Sequence, residues 1–251
     1  MRIAVNAGHS LNTPGKRTPD GEPEWSFNDK VVRAIINELR TYEGVEILRT
    51  DDPSGKTDLP LKTRTNKAKA WGAEVYVSVH HNALSGKWGK HGGIETYTYR
   101  GSPQPSSERL ASLVHPRLVK AMGLRDREHK KANFHDVRVF ENEPTAAILT
   151  EGGFMDSTTD IKVMRDDEKL KAQGAAIAHG IALFGGLKKK STTEKKNQKA
   201  STWAAEAQKW VKESGISDGS FPHDPVTRQE VWVMLYRLNQ QLHKQFNQKN
   251  P

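Results

Sequence analysis

Cysteine is absent from the 251 residues, which excludes disulfide scaffolds, thiolate zinc sites and thiol nucleophiles together. Any metal would have to be held by His, Asp or Glu. Also missing is an apolar run approaching the roughly 18 residues that cross a bilayer, so membrane insertion is not expected. The opening MRIAVNAGHS turns polar after five residues and lacks the apolar stretch of a secretory signal, which predicts a chain made in the cytoplasm. No aromatic RNA-binding signature and no helix-turn-helix pattern occurs, so nucleic acid is not an expected partner.

Basic residues, in contrast, are plentiful: 39 Lys and Arg against 30 Asp and Glu give a net charge of +9. Such an excess favours polyanions such as nucleic acid, anionic lipid or an anionic wall polymer. Its location narrows that reading. Residues 188–199 (KKKSTTEKKNQK) hold six Lys and one Glu and supply +5, whereas residues 1–187 carry only +3. A run with no apolar residue cannot form a core and reads as a solvated tether. The chain therefore divides into a domain over 1–187, a Lys-rich linker over 188–200 and a small domain over 201–251.

Within 1–187, strand-like and helix-like segments alternate. Strands are predicted at Arg2–Asn6, Val45–Arg49, Val75–His80 and Gly93–Tyr99, with a further pair at Val137–Phe140 and Ala146–Thr150. Helices are predicted from near Pro23, with Phe27, Val31, Val32, Ile35, Ile36 and Leu39 as its apolar stripe, and over Leu61–Trp71, Ser106–Met122, Thr158–Met164 and Asp167–Phe184. This alternation implies an α/β fold with a mainly parallel, twisted sheet flanked by helices on both faces. Residues 201–251 read as a helix-loop-helix unit. Ala204, Ala207 and Val211 mark its first helix, Thr227 and Glu230 form a capping box, and Val231, Met234, Leu235 and Leu238 are the expected buried side of the second.

Three titratable residues follow three different strands: His9 after the first, His80 at the end of Val75–Val79, and Glu151 directly after Ala146–Thr150. Ligand sites of open α/β sheets gather at the carboxyl ends of strands. Glu24 lies in the first turn of a helix whose sheet-facing line continues through Asn28, Val31 and Ile35. A carboxylate there needs a positive partner, and a metal is the simplest one. Two His and one carboxylate make an open zinc site, and a second carboxylate, Glu151, suits proton transfer between water and a leaving amine. Gly152 and Gly153 would let the backbone pass close to a substrate. Each residue alone has an ordinary alternative: a loop His, a first-turn acid that suits the helix dipole, a surface Glu. Glu22 rivals Glu24. Alternation points His81 away from His80, and His91, His115, His129, His135 and His179 read as loop or helix-face residues.

At these positions the sequence resembles the zinc-dependent N-acetylmuramoyl-L-alanine amidases of the third amidase class, which include autolysins, sporulation amidases and phage endolysins. Ile3-Ala4-Val5-Asn6-Ala7-Gly8-His9, Glu24-x-x-x-Asn28, Ser78-Val79-His80-His81-Asn82-Ala83 and Leu149-Thr150-Glu151-Gly152-Gly153-Phe154 carry the likeness in order. Lys62-x-Arg64-x-x-x-Ala68 and Ala132-Asn133-Phe134 extend it. The resemblance implies hydrolysis of the amide between N-acetylmuramic acid and L-Ala in peptidoglycan. It also implies Zn2+ held by His9, Glu24 and His80, with Glu151 as the catalytic acid–base. The family glutamate precedes an Asn by four positions, which favours Glu24 over Glu22. Asn6 stands where members commonly have Asp, His81 where a small residue is usual and Gly152 where Thr is frequent. An inhibitory helical insertion found in some relatives is not expected, because Asn82–Thr150 is filled by fold elements.

The tail resembles a single S-layer homology motif in Trp203-Ala204-x-x-Ala207, Gly215-Ile216-Ser217-Asp218-Gly219 and Pro225-Val226-Thr227-Arg228-Gln229-Glu230. That likeness implies an anionic secondary wall polymer as a partner of 201–251; a helical hairpin packed on another domain is the alternative. The expected protein is a peptidoglycan amidase, of endolysin type with release through a holin pore or by cell lysis, and a host sporulation lysin fits the same N-terminus equally well. A zinc peptidase or deacetylase of peptidoglycan, and a wall-binding protein with a degenerate site, are the competing readings.

Overall fold

A computed structural model describes residues 1–190, 200–220 and 228–249. The chain forms two compact units, Met1–Lys189 and Lys190–Pro251. Most of the Lys-rich linker, the turn around Pro222 and the Thr227 cap lie outside the described residues.

The first unit is built on six strands: β1 (Arg2–Ala7), β2 (Glu46–Arg49), β3 (Val75–Asn82), β4 (Ile94–Tyr99), β5 (Asp126–Ala132) and β6 (Ala146–Phe154). They lie in the order β2-β1-β3-β6-β4-β5. The first four strands in that order are mutually parallel, β4 is antiparallel to β6, and β5 is parallel to β4. Helices α1 (Glu24–Leu39), α2 (Leu61–Trp71), α3 (Pro105–Met122), α4 (His135–Arg138), α5 (Asp160–Met164) and α6 (Asp167–Gly185) complete the unit. The mainly parallel sheet between helical layers is the architecture expected from the alternating segments.

Strand alternation sorts side chains between two unequal layers. Ile3, Val5, Val75, Val77, Val79, Ala146 and Ile148 face a large core against α1, α3 and α6. Ala4, Tyr76 and Ala147 face a small cluster with Ala68 of α2 and Phe140. Beyond that small cluster, towards the carboxyl ends of β3 and β6, the same face carries Ser78, His80 and Glu151. No helix has to cover that end for the sheet to be stable, because the thick layer already buries most of the apolar area. One face thus holds the fold and leaves the other free for chemistry.

Two segments differ from the expectation. Val137–Phe140, predicted as a strand, spans the end of α4 and the turn after it. Both residues are buried, and their spacing of three is that of one helical turn, so β-branched Val137 misled the reading. Strand β5, DREHKKA, was not foreseen at all. As an edge strand it buries little, and its charged sequence carries no apolar alternation.

Among the described residues of the second unit, helices run over Ala205–Glu213 and Arg228–Lys249. Leu235, expected inside, is 57% exposed, whereas Val231, Met234 and Leu238 are only partly covered. A unit of this size has too little interior to enclose a full apolar side. No described helix is long and apolar enough to cross a membrane.

Candidate active site and metal centre

Four elements bring the four predicted residues to one end of the sheet. His9 lies just beyond β1 with a left-handed backbone, φ 63°, a conformation that a non-glycine residue holds only when its surroundings enforce it. Arg64 of α2 provides much of that enforcement. Its Nη2 donates to the His9 carbonyl at 2.9 Å and to Asp58 at 2.7 Å, while Nη1 donates to the Ala7 carbonyl at 2.7 Å and to Asn6 Oδ1 at 3.0 Å. With Nε on the Leu59 carbonyl at 2.8 Å, all five guanidinium N–H groups are used inside the protein.

Glu24 opens α1 and is buried. Its Oε2 lies 3.2 Å from His9 Nε2 and its Oε1 3.1 Å from His80 Nδ1. Asn28, one turn on, donates to Glu24 Oε1 at 3.2 Å and to the Gly8 carbonyl at 3.1 Å, and the His81 amide donates to Glu24 Oε1 at 3.2 Å. One potential donor atom each from His9, Glu24 and His80 falls within 4.8 Å of the others. Glu22, the rival acid, instead pairs with Arg165 at 3.0 Å on the surface.

The protonation states suit a cation. Burial lowers the His9 imidazole to about 4, against the attraction of Glu24, so it is a neutral donor at pH 7. Desolvation pushes Glu24 up, but the hydrogen bond and charge of His80, then His9, outweigh it and keep the carboxyl ionised. Burial likewise lowers His80, and its contact with Glu24 reverses the sign and raises it. Two imidazoles around a buried carboxylate, with no thiolate in the chain, fit Zn2+ or a similar divalent ion, which would compete with a single proton on His80.

Glu151 stands beside this trio, in register with His80 on β3 and with Glu95 on β4. Its buried Oε2 has no hydrogen-bond partner among the described residues. Desolvation pushes its carboxyl up to about 8, with the His80 charge opposing and Glu24 and Glu95 adding to the rise. An unpartnered, desolvated carboxyl next to a metal-type cluster is poised to exchange a proton with a bound molecule.

Residues 3–183 match the family described as N-acetylmuramoyl-L-alanine amidase. This chain belongs to that family. A sporulation-specific N-acetylmuramoyl-L-alanine amidase of Bacillus subtilis (strain 168) is 31% identical over 196 residues, 77% of this chain and 71% of the relative. An endolysin of Bacillus phage SPP1 is 32% identical over 206 residues, 80% of this chain and 72% of that protein. Among solved structures, the catalytic domain of the amidase CwlV from Bacillus (Paenibacillus) polymyxa var. colistinus superposes with a TM-score of 0.65 at 26% identity, covering 74% of this chain and 99% of that one.

Two departures from the amidase pattern prove to be one packing solution. A Cβ built on Gly152 would lie 2.0 Å from Gln173 Nε2 and 2.7 Å from His81 Nε2. His81 points into the thick layer, 2.7 Å from Asn28 Oδ1 and 3.2 Å from Gln173 Oε1, and so fills the space a Thr at 152 would need. The expectation that Gly152 serves a substrate is therefore corrected: it makes room for protein side chains. Gly153, at φ 135°, supplies the backbone freedom at that turn. Gly152→Thr alone is expected to cost about 1–3 kcal/mol through overpacking. Trimming both neighbours in the same chain, His81→Ser with Gln173→Ala, should recover much of it, a coupling that urea unfolding of the mutant cycle measures.

Asp156, missed in the sequence, anchors the loop that leaves β3. It accepts from the backbone amides of Leu84 at 2.9 Å, Ser85 at 2.8 Å and Gly86 at 2.9 Å, and His91 Nε2 lies 2.6 Å away. Burial pushes its carboxyl up, but His91 and those amides outweigh it and hold it below 3.8. A depressed carboxyl stabilises the fold above its ordinary pKa, and that contribution fades as pH falls through the lower folded value. Asp156→Asn is thus expected to cost roughly 1.5–3 kcal/mol at neutral pH and much less at a pH acid enough to protonate the carboxyl in the folded protein. Urea midpoints of both proteins at the two pH values give the comparison.

Proposed function

We propose that this protein is a zinc-dependent N-acetylmuramoyl-L-alanine amidase that cuts the amide joining N-acetylmuramic acid to L-Ala in peptidoglycan. Membership of the amidase family supports the reaction. The observation that carries the chemistry is the convergence of His9, Glu24 and His80 beside an unpartnered Glu151. His9, Glu24 and His80 would hold the zinc, with Asn28 and the His81 amide fixing the Glu24 carboxylate from behind. Bound there, zinc supplies Lewis acidity for the lactyl carbonyl and for an attacking water. Glu151 takes the proton from that water as the C–O bond forms, then gives it to the L-Ala nitrogen as the C–N bond breaks. The raised pKa of the carboxyl matches a group that must both accept and return a proton. Arg64 acts through His9 by fixing the backbone from which that imidazole projects.

Chelation is expected to abolish wall hydrolysis and one equivalent of zinc to restore it, read as new L-Ala amino termini on purified cell walls. New reducing ends would instead mark a glycosidase, and released acetate a deacetylase.

The endolysin role rests on the likeness to the phage SPP1 protein, and implies that the enzyme reaches the wall after holin-type release or cell lysis. The second unit is the proposed wall-retention module, for an anionic secondary polymer. Supporting this are the S-layer-homology-like residues of 201–220 and the exposure of Trp203, Trp210 and Trp232. Deleting 188–251 should reduce pelleting with walls while leaving cleavage of soluble muramoyl peptides intact.

A further inference from the structure

Beyond Glu151, on the side away from His80, the open face of the sheet carries a cationic group that the reaction above does not use. Glu95 of β4 is the register partner of Glu151, which places their side chains on one face about 5 Å apart. Glu95 is buried, and four donors saturate its carboxylate. Arg127 Nε and Lys130 Nζ reach Oε1 at 2.9 and 2.5 Å, while Asn82 Nδ2 and the Tyr97 hydroxyl reach Oε2 at 2.8 Å each. Two cations on one carboxylate leave a local excess of one positive charge.

Arg127 is fixed on two sides. Nε is tied to Glu95, and Cζ lies 4.9 Å from the centroid of the Phe154 ring, a cation–π support. Its Nη groups meet no acceptor among the described residues, although the side chain is only 29% exposed. A locked guanidinium with an unspent fork matches the planar oxygens of a carboxylate. The Nη atoms are not among the buried unpartnered atoms, so they reach solvent, where the oxygens of a bound carboxylate can replace water.

The order of groups across the sheet gives this fork a direction. The metal-type donors lie on the β1–β3 side, Glu151 on β6, and Arg127 and Lys130 past β4. With Glu151 returning its proton to the leaving nitrogen, the substituents on that nitrogen extend over β4 towards Arg127. We infer that Arg127, supported by Lys130 and held in place by Glu95, binds a carboxylate of the stem peptide on the amine side of the scissile bond. The inference rests on the amidase reading for its direction, and it makes the enzyme selective for unamidated stems.

Calorimetry on the full chain, using L-alanyl-D-glutamate and its fully amidated counterpart, tests it without requiring turnover. The dicarboxylate is expected to bind about tenfold more tightly, the effect of one charge-assisted pair. The preference should vanish in Arg127→Gln, persist in part in Arg127→Lys, and be unaltered in Arg33→Gln on the outer surface of α1. Circular dichroism of each variant verifies folding, and the charge-retaining Lys variant keeps the test open if the Gln variant unfolds. Equal affinity of wild type for the two peptides, or undiminished preference in folded Arg127→Gln, overturns the subsite. A chain that discriminates the peptides yet leaves muramoyl peptides uncut retains the subsite and loses the amidase reading.

Discussion

Glu151→Gln is expected to reduce hydrolysis of the muramoyl amide by about 10²–10⁴-fold, the usual contribution of a positioned acid–base. The substitution keeps volume and shape, and the Oε2 it replaces has no partner to lose among the described residues. Folding and metal content should therefore be unchanged, so the loss belongs to proton transfer. Initial rates of L-Ala amino-terminus release, with zinc content of the same sample, decide the point. Wild-type turnover in a zinc-replete variant would remove Glu151 from the mechanism.

The largest effect on stability is expected at Arg64, a fully buried cation directly behind the His9 backbone. Arg64→Met deletes all five of its hydrogen bonds at once, stranding the carbonyls of Ala7, His9 and Leu59 and the side chain of Asn6. Breaking a buried, hydrogen-bonded charge of this kind costs about 3–5 kcal/mol. For a domain near this size that is roughly a 10 °C fall in the unfolding temperature. Arg64→Lys keeps the charge but offers three donors in place of five, and should fall between. The left-handed backbone of His9 depends on the same contacts, so zinc affinity is expected to weaken in both variants, measurable by chelator competition at temperatures where each is folded. A variant of unaltered unfolding temperature would show that the loop before α1 supports itself.

Much of this arrangement was legible in the sequence because it depends on periodicity. The apolar spacing of Val31, Val32, Ile35 and Leu39 fixed which side of α1 is buried, and Glu24 lies on the continuation of that line at 2% exposure. Strand alternation alone separated His80 from His81. Four motifs in order then supplied the family, which a bare quartet of His and Glu could not. Elements held by polar contacts were not legible. Strand β5 pairs with β4 through backbone bonds that leave no apolar pattern, and the antiparallel turn of β4 has no local signal either. For the same reason Arg64, Glu95, Arg127 and Asp156 were passed over as sites, since a charged residue reads as solvated until its partners are known. Gly152 was misread because the side chain that needs its missing Cβ, Gln173, lies on a helix that begins fifteen residues later.

Neighbouring residues on β3 and β6 have opposite duties: His80 and Glu151 look out over the open end of the sheet, while His81 and Gly152 lock into α1 and α6. Inserting or deleting one residue early in either strand would exchange those duties throughout the remainder of the strand. An imidazole or carboxylate would be driven into the apolar layer and a packing group turned to water. Evolution of this enzyme can thus lengthen the loops on its rim freely, but the count of residues within these two strands is as constrained as the identity of the groups that do the chemistry.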